Sequence, residues 1–159
     1  MLARNLMTIF ILSLIFLTVV LAVAFKIIGF GGGPLKTASV TVGAKTFQVM
    51  VASTTLARSN GLSGKDGLAE NEGMYFLFGS FGNYGFWMKD MKFAIDIIWI
   101  AGDTVVGFAE NAKPEPGKAL WSLKIYYPPQ NIDKVLEINA GAVQKYGIKI
   151  GDIVSFSSQ

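Results

Sequence analysis

FWMKDMKFAIDIIWI, residues 86–100, is mostly apolar, yet it holds Lys89 and Asp96 inside it. Successive residues of a strand point to opposite faces. In AIDIIWI one face is therefore Ala94, Asp96, Ile98 and Ile100, and the other is Ile95, Ile97 and Trp99. Both faces are apolar, so the pattern predicts a strand buried on both sides. Asp96 is the exception. An isolated buried carboxylate is too costly to keep ionised, so a partner is expected. In FWMK, Phe86 and Met88 share one face, and Trp87 and Lys89 the other. A hairpin turning through residues 90–93 puts Trp87, Lys89 and Asp96 on one side. That arrangement has two readings. A Lys89–Asp96 pair can fix the register of the strands, or it can floor a pocket for a polar ligand.

Outward from this stretch the same period-2 pattern recurs. SVTVGAKTFQVMVA reads as a β-hairpin around Gly43-Ala44-Lys45. STTLARSNGLSG reads as a short helix, with Ser53 or Thr54 to cap it and Gly61 to end it. GMYFLF reads as a buried strand, GSFGNYG as a loop, and TVVGFAE as a strand after an Ala101-Gly102-Asp103 turn. KPEPGKALWSLKIYYPPQ is irregular or half-strand. DKVLEIN is a strand, AGAVQKYGI a short helix ended by Gly147, and IGDIVSF a closing strand. The fold expected is mostly β (α+β), a compact barrel-like roll of roughly seven short strands with two short helices. It is preceded by an N-terminal transmembrane helix.

That last expectation comes from LMTIFILSLIFLTVVLAVAF, residues 6–25, twenty residues without a charge. At about 1.5 Å per residue they span roughly 30 Å, the thickness of a bilayer core. The division expected is an anchor or signal peptide over 1–28, a glycine-rich linker over 29–38, and a β domain over 39–157. The lipid bilayer is thus one partner, through residues 6–28. Arg4 and the amino terminus favour a single-pass topology with the domain outside the cytoplasm. Ala22-Val23-Ala24 resembles a cleavage site, and cleavage near Ala24 gives a secreted domain instead.

The chain has no cysteine and no histidine. A Ser-His-Asp or Cys-His device is therefore excluded, and no metal site or cofactor is expected. The net charge of +3 is scattered, with no nucleic-acid footprint. GSFGNYG lacks the GK[ST] of a phosphate loop.

The order of RSNGL, GMYFLF, FWMKDMKFAIDIIWI, VVGFAEN and VLEINAGAVQKYGIKIGDIVSF resembles the family called domain of unknown function 192, over residues 39–156. The matching positions include Arg58, Gly61, Met74, Phe86, Trp87, Met88, Lys89 and Asp96. They continue through Glu110, Asn111, Glu137, Asn139, Gly151 and Asp152. The chain departs from the family in having Ala94 where proline is common, and in its own segment over 113–130. The resemblance implies a small, mostly-β domain, often exported or membrane-anchored, with no agreed activity.

Among the carboxylates, alternation in VLEIN groups Val135, Glu137 and Asn139 on a face that solvent or function can explain. Asp152 is expected to cap the GIKIGD turn. The candidate ligand site is Trp87, Lys89, Asp96 and Glu110, rimmed by residues 112–130. Lys89 would offer charge to a polar ligand, Asp96 would orient it, and Trp87 would wall it. The function expected is a non-enzymatic binding or accessory module at the cell envelope, with an unknown polar ligand or envelope partner. The alternatives are a hydrolase of an envelope glycan or polymer, with Asp96 or Glu110 as acid or base, and a scaffold for a partner protein.

Overall fold

The structure is a computed structural model and describes residues 35–158. The expected anchor over 1–28, with Arg4 and Ala24, and most of the linker lie outside the described residues. Among the described residues, no helix is long and apolar enough to cross a membrane.

Seven strands form one sheet in the order β6-β5-β8-β3-β2-β1-β9. They are β1 (Thr37–Val42), β2 (Lys45–Ala52), β3 (Glu72–Gly82), β5 (Ile95–Ala101), β6 (Thr104–Ala112), β8 (Ile132–Asn139) and β9 (Val154–Ser158). Two short strands, β4 (Phe86–Trp87) and β7 (Ile125–Tyr126), form a separate ribbon. The helices are α1 (Thr55–Asn60) and α2 (Ala142–Tyr146). As expected, Thr54 caps α1 by accepting from the Ala57 amide at 3.1 Å, and Gly61 and Gly147 end the two helices with positive φ. β2 and β3 run parallel, so the chain must cross over between them, and α1 lies in that crossover.

The sheet curls but does not close into a barrel. Its edges, β6 and β9, meet at one end only, through the Thr104–Ile153 bridge and the bond from the Val105 amide to the Asp152 carbonyl at 3.0 Å. Register shifts in β6 bend that edge away beyond this point.

The central strands are buried on both faces, as β5 required. Ile98, Ile100, Leu136, Ile138 and Tyr75 join one apolar cluster with Val40, Phe47 and Val143. Ile95, Ile97, Trp99, Val135, Met74 and Phe76 join a second, with Leu62, Phe86, Met88 and Met91. Thus α2 contributes to the first face, and the ribbon and the turn after α1 to the second.

The hairpin expected between FWMK and AIDIIWI does not form. Phe86 pairs with Tyr126 and Trp87 with Ile125, while β5 pairs with β6 and β8. After Met88 the chain is gripped from elsewhere. Ser63 Oγ donates to the Lys89 carbonyl at 2.7 Å, and the Gly64 amide to the Asp90 carbonyl at 2.9 Å. Asp90 takes a left-handed φ of 54° there. Lys89 is consequently exposed and pairs with its neighbour Asp90, not with Asp96.

Asp96 is completely buried and finds its partners in the backbone. Its Oδ1 accepts from the Asn111 amide at 2.8 Å and its Oδ2 from the Val143 amide at 2.9 Å. Both amides need it. Ile95 pairs with Ala112 and Ile97 with Ala109, so β6 bulges opposite Asp96, and Asn111 there has a φ of 52°. Gly141, the residue before α2, has no side chain to cap that helix. Asp96 supplies the cap from across the sheet.

Asp96→Ala removes two hydrogen bonds to a buried acceptor and should cost roughly 3 to 5 kcal/mol of unfolding free energy. Lys89→Met breaks only an exposed ion pair and should change stability by less than about 1 kcal/mol. In urea denaturation the double variant should equal the sum of the singles within about 0.5 kcal/mol. A coupling of several kcal/mol would restore the Lys89–Asp96 pair.

Candidate functional site

The described residues bury two acids, Asp96 and Glu137. They sit on neighbouring strands and on opposite faces. Asp96 pairs with Ile138, and Glu137 with Ile97 on one side and Met74 on the other. Directly opposed residues share a face. Glu137 therefore lies among the second cluster, on the face toward the ribbon, and is only 5% exposed. The expected grouping of Val135, Glu137 and Asn139 is found, but the face is covered rather than solvated. Asn139 donates to the Leu68 and Ala69 carbonyls at 3.3 and 2.9 Å, closing one end of it.

Glu137 lines a cavity of about 200 Å³. One side is Thr55, Arg58, Ser59 and Asn60 of α1, followed by Gly61, Leu62 and Ser63. The other is Phe76 and Phe78 of β3, with Tyr84, Gly85, Phe86, Trp87 and Met91 around the ribbon. The rings lock one another. Phe78 and Tyr84 stack with centroids 3.7 Å apart, and Phe76 meets Phe86 edge-on at 5.1 Å. The Tyr84 hydroxyl is anchored on the Ser80 carbonyl at 2.9 Å. A Cβ on Gly85 would stand 2.7 Å from Ile125 Cγ2, so glycine is what lets the ribbon close on this side.

Arg58 is the cation of the wall. Its Nη1 donates to the Ser53 and Leu77 carbonyls at 2.7 and 2.9 Å, and its guanidinium lies 5.2 Å from the Phe78 ring centre. Five donors on a guanidinium leave some unused by these contacts.

Among the described residues, no side chain or amide donates a hydrogen bond to the Glu137 carboxyl. Burial alone pushes its pKa up to about 8, from an ordinary 4.5. Burial thus favours the protonated form of the group, which has a proton to give and lone pairs facing a cavity.

The four residues expected to form one ligand site are not gathered together. Trp87 lines this cavity and is 44% exposed. Lys89 lines a smaller one of about 120 Å³ beside Asp90, Glu115 and Lys118. Asp96 is on the other face, tied to amides. Glu110 stands exposed on the bulge of β6. Of the further positions singled out, Arg58, Gly61, Phe86 and Glu137 converge on the cavity, and Met74 and Met88 lie in the core cluster behind it. Asn111 holds the bulge. Asp152 caps its turn as expected, accepting from the Lys149 amide at 2.8 Å, and Gly151 precedes it with a φ of 96°.

The profile of the DUF192 family, described as Uncharacterized ACR, matches residues 38–156. The chain belongs to that family. A crystal structure from Sinorhizobium meliloti 1021, named as that of a candidate transcription regulator, is similar to it with a TM-score of 0.71 and 27% identity. The match covers 79% of this chain and 98% of that one. A protein of unknown function from Novosphingobium aromaticivorans DSM 12444 is similar with a TM-score of 0.69 and 29% identity, over 79% of this chain and 94% of its own. No protein with a curated description matches.

Because Glu137 binds its proton more tightly in the fold than when unfolded, it stabilises the fold relative to the ionised state below about pH 4.5. That contribution is lost as pH rises through about 8. Unfolding free energies of wild type, referred to Glu137→Gln, should therefore fall by on the order of 4 kcal/mol from pH 4.5 to 9. Parallel profiles for the two proteins would mean the carboxyl is solvated.

Proposed function

We propose that this member of the DUF192 family is a non-enzymatic ligand-binding module, and that its site is the cavity between α1, β3, β8 and the β4–β7 ribbon. The observation that carries the reading is Glu137, a buried residue whose carboxyl lines that cavity and receives no hydrogen bond from another described residue. A buried acid with no donor costs stability, and an apolar residue of similar volume would avoid the cost. A ligand that hydrogen-bonds the acid gives the residue a purpose. The surroundings suit one, since the side formed by α1 and the turn after it is largely polar and the side formed by β3 and the ribbon is aromatic and apolar.

Binding is favoured over hydrolysis by the placement of the acids. Hydrolysis by paired carboxylates needs two of them roughly 5 to 9 Å apart. Among the described residues, Glu137 is the one acid lining the cavity. The envelope setting is part of the same proposal. It rests on the uncharged run over 6–25, which would tether the domain outside the cytoplasm, and on Arg4 before it.

The test is an NMR screen of the full chain against small aromatic and aliphatic fragments. Saturable shifts should cluster at residues 55–63, 76–87 and 137, with no conversion of the fragment. Ser59→Trp, an exposed position at the cavity wall, should weaken them at least tenfold. Saturable binding elsewhere, or turnover at this site, would refute the proposal.

A further inference from the structure

We infer that the ligand of this cavity is a small organic ammonium ion, whose charge meets the Glu137 carboxyl while its carbon body lies against the ring wall. The inference rests on the reading of the cavity as a ligand site and names the class of ligand.

The floor sets the chemistry. Glu137 offers up to two oxygens and receives no hydrogen bond from any described residue. A plain hydrocarbon would leave the carboxyl unpaired. An ammonium group supplies three donors and, once the carboxyl has given up its proton, the opposite charge. The walls favour the same class. Phe76, Phe78, Tyr84, Phe86 and Trp87 surround the space, and ring faces attract cations. The wall already holds one cation this way, the Arg58 guanidinium over Phe78.

The neighbouring charges leave the demand at Glu137 unmet. From α1 the charged group is Arg58, whose Nη1 donates to the Ser53 and Leu77 carbonyls and whose Nη2 donates to Thr55 Oγ1 at 3.5 Å. From β3 and β5 the facing residues, Met74 and Ile97, are apolar. The ribbon side brings Tyr84, whose hydroxyl is held by the Ser80 carbonyl. Lys89 and Asp90 line the other cavity and pair with each other. Among the described residues, no cation forms an ion pair with Glu137. Arg58 repels a second cation beside itself, which directs the ammonium to the Glu137 end.

Binding then couples to a proton. R–NH₃⁺ meets the neutral carboxyl, the O–H bond breaks, the proton passes to solvent, and an ammonium–carboxylate pair remains. No bond forms to carbon and nothing is oxidised.

The probes are benzylamine, benzyl alcohol and benzoate, titrated at pH 7 into the full chain in detergent. Ser59→Trp serves as the blank for partition into micelles. Proton release is followed with an indicator dye in weakly buffered salt. Benzylamine should bind at least tenfold more tightly than benzyl alcohol, release close to one proton per molecule bound, and outcompete benzoate completely. Glu137→Gln should abolish the proton release and bring benzylamine down to the level of the alcohol, with its thermal unfolding checking that it folds. If the alcohol or benzoate binds as tightly as benzylamine, the cavity stands as a site and the ammonium class is overturned. If none of the three binds above the blank, the cavity itself is not the site and both readings fall.

Discussion

The carboxylate of Asp96, held between the amides of Asn111 and Val143, is the contact on which the fold turns. It lets a central strand be apolar on both faces while its neighbours break regularity. The bulge in β6 and the uncapped start of α2 each leave a backbone N–H without a ladder partner, and one side chain answers both. With β6 bent and α2 pinned, the face that carries Ile98, Ile100, Leu136 and Ile138 is buried against Ala142 and Val143. The other face packs the second apolar cluster and also carries the cavity.

One strand away the same kind of residue has the opposite outcome. Glu137 opposes Ile97, the residue next to Asp96, and its carboxyl looks the other way. Among the described residues, Asp96 meets two donors and Glu137 meets none. The contrast separates an acid that completes the backbone from one that faces a cavity. It also explains why the cavity lies where it does. The covering on that side, the ribbon and the turn after α1, is built of short pieces that do not fill the space above β8.

Much of this was legible in the sequence where the signal is local. The first hairpin, the Thr54 cap, the Gly61 and Gly147 stops, the doubly buried β5 and the Asp152 turn all follow from period and capping chemistry. So did the demand that Asp96 have a partner. The partner itself was not legible, because a backbone amide on a bulge leaves no mark in side-chain pattern. The hairpin assigned to FWMK failed for a related reason. Phe86 and Trp87 pair with residues some forty positions on, and β8 takes the place beside β5 that FWMK was expected to fill. Alternation in VLEIN puts Glu137 on its observed strand face, but nothing there distinguishes a face covered by a distant ribbon from one open to water. The usable signal was collective. Arg58, Gly61, Phe86 and Glu137, scattered in sequence, are all positions through which the chain resembles its family, and they meet at one cavity.

The cavity owes its chemistry to the state of a single carboxyl, and carbon-detected NMR reads that state directly. The Glu137 side-chain carboxyl resonance, followed from pH 3 to 10 in the ligand-free chain, should titrate near 8, well above the ordinary 4.5. A midpoint at the ordinary value would mean the group is hydrated or paired, and the cavity would lose the feature that marks it as a site.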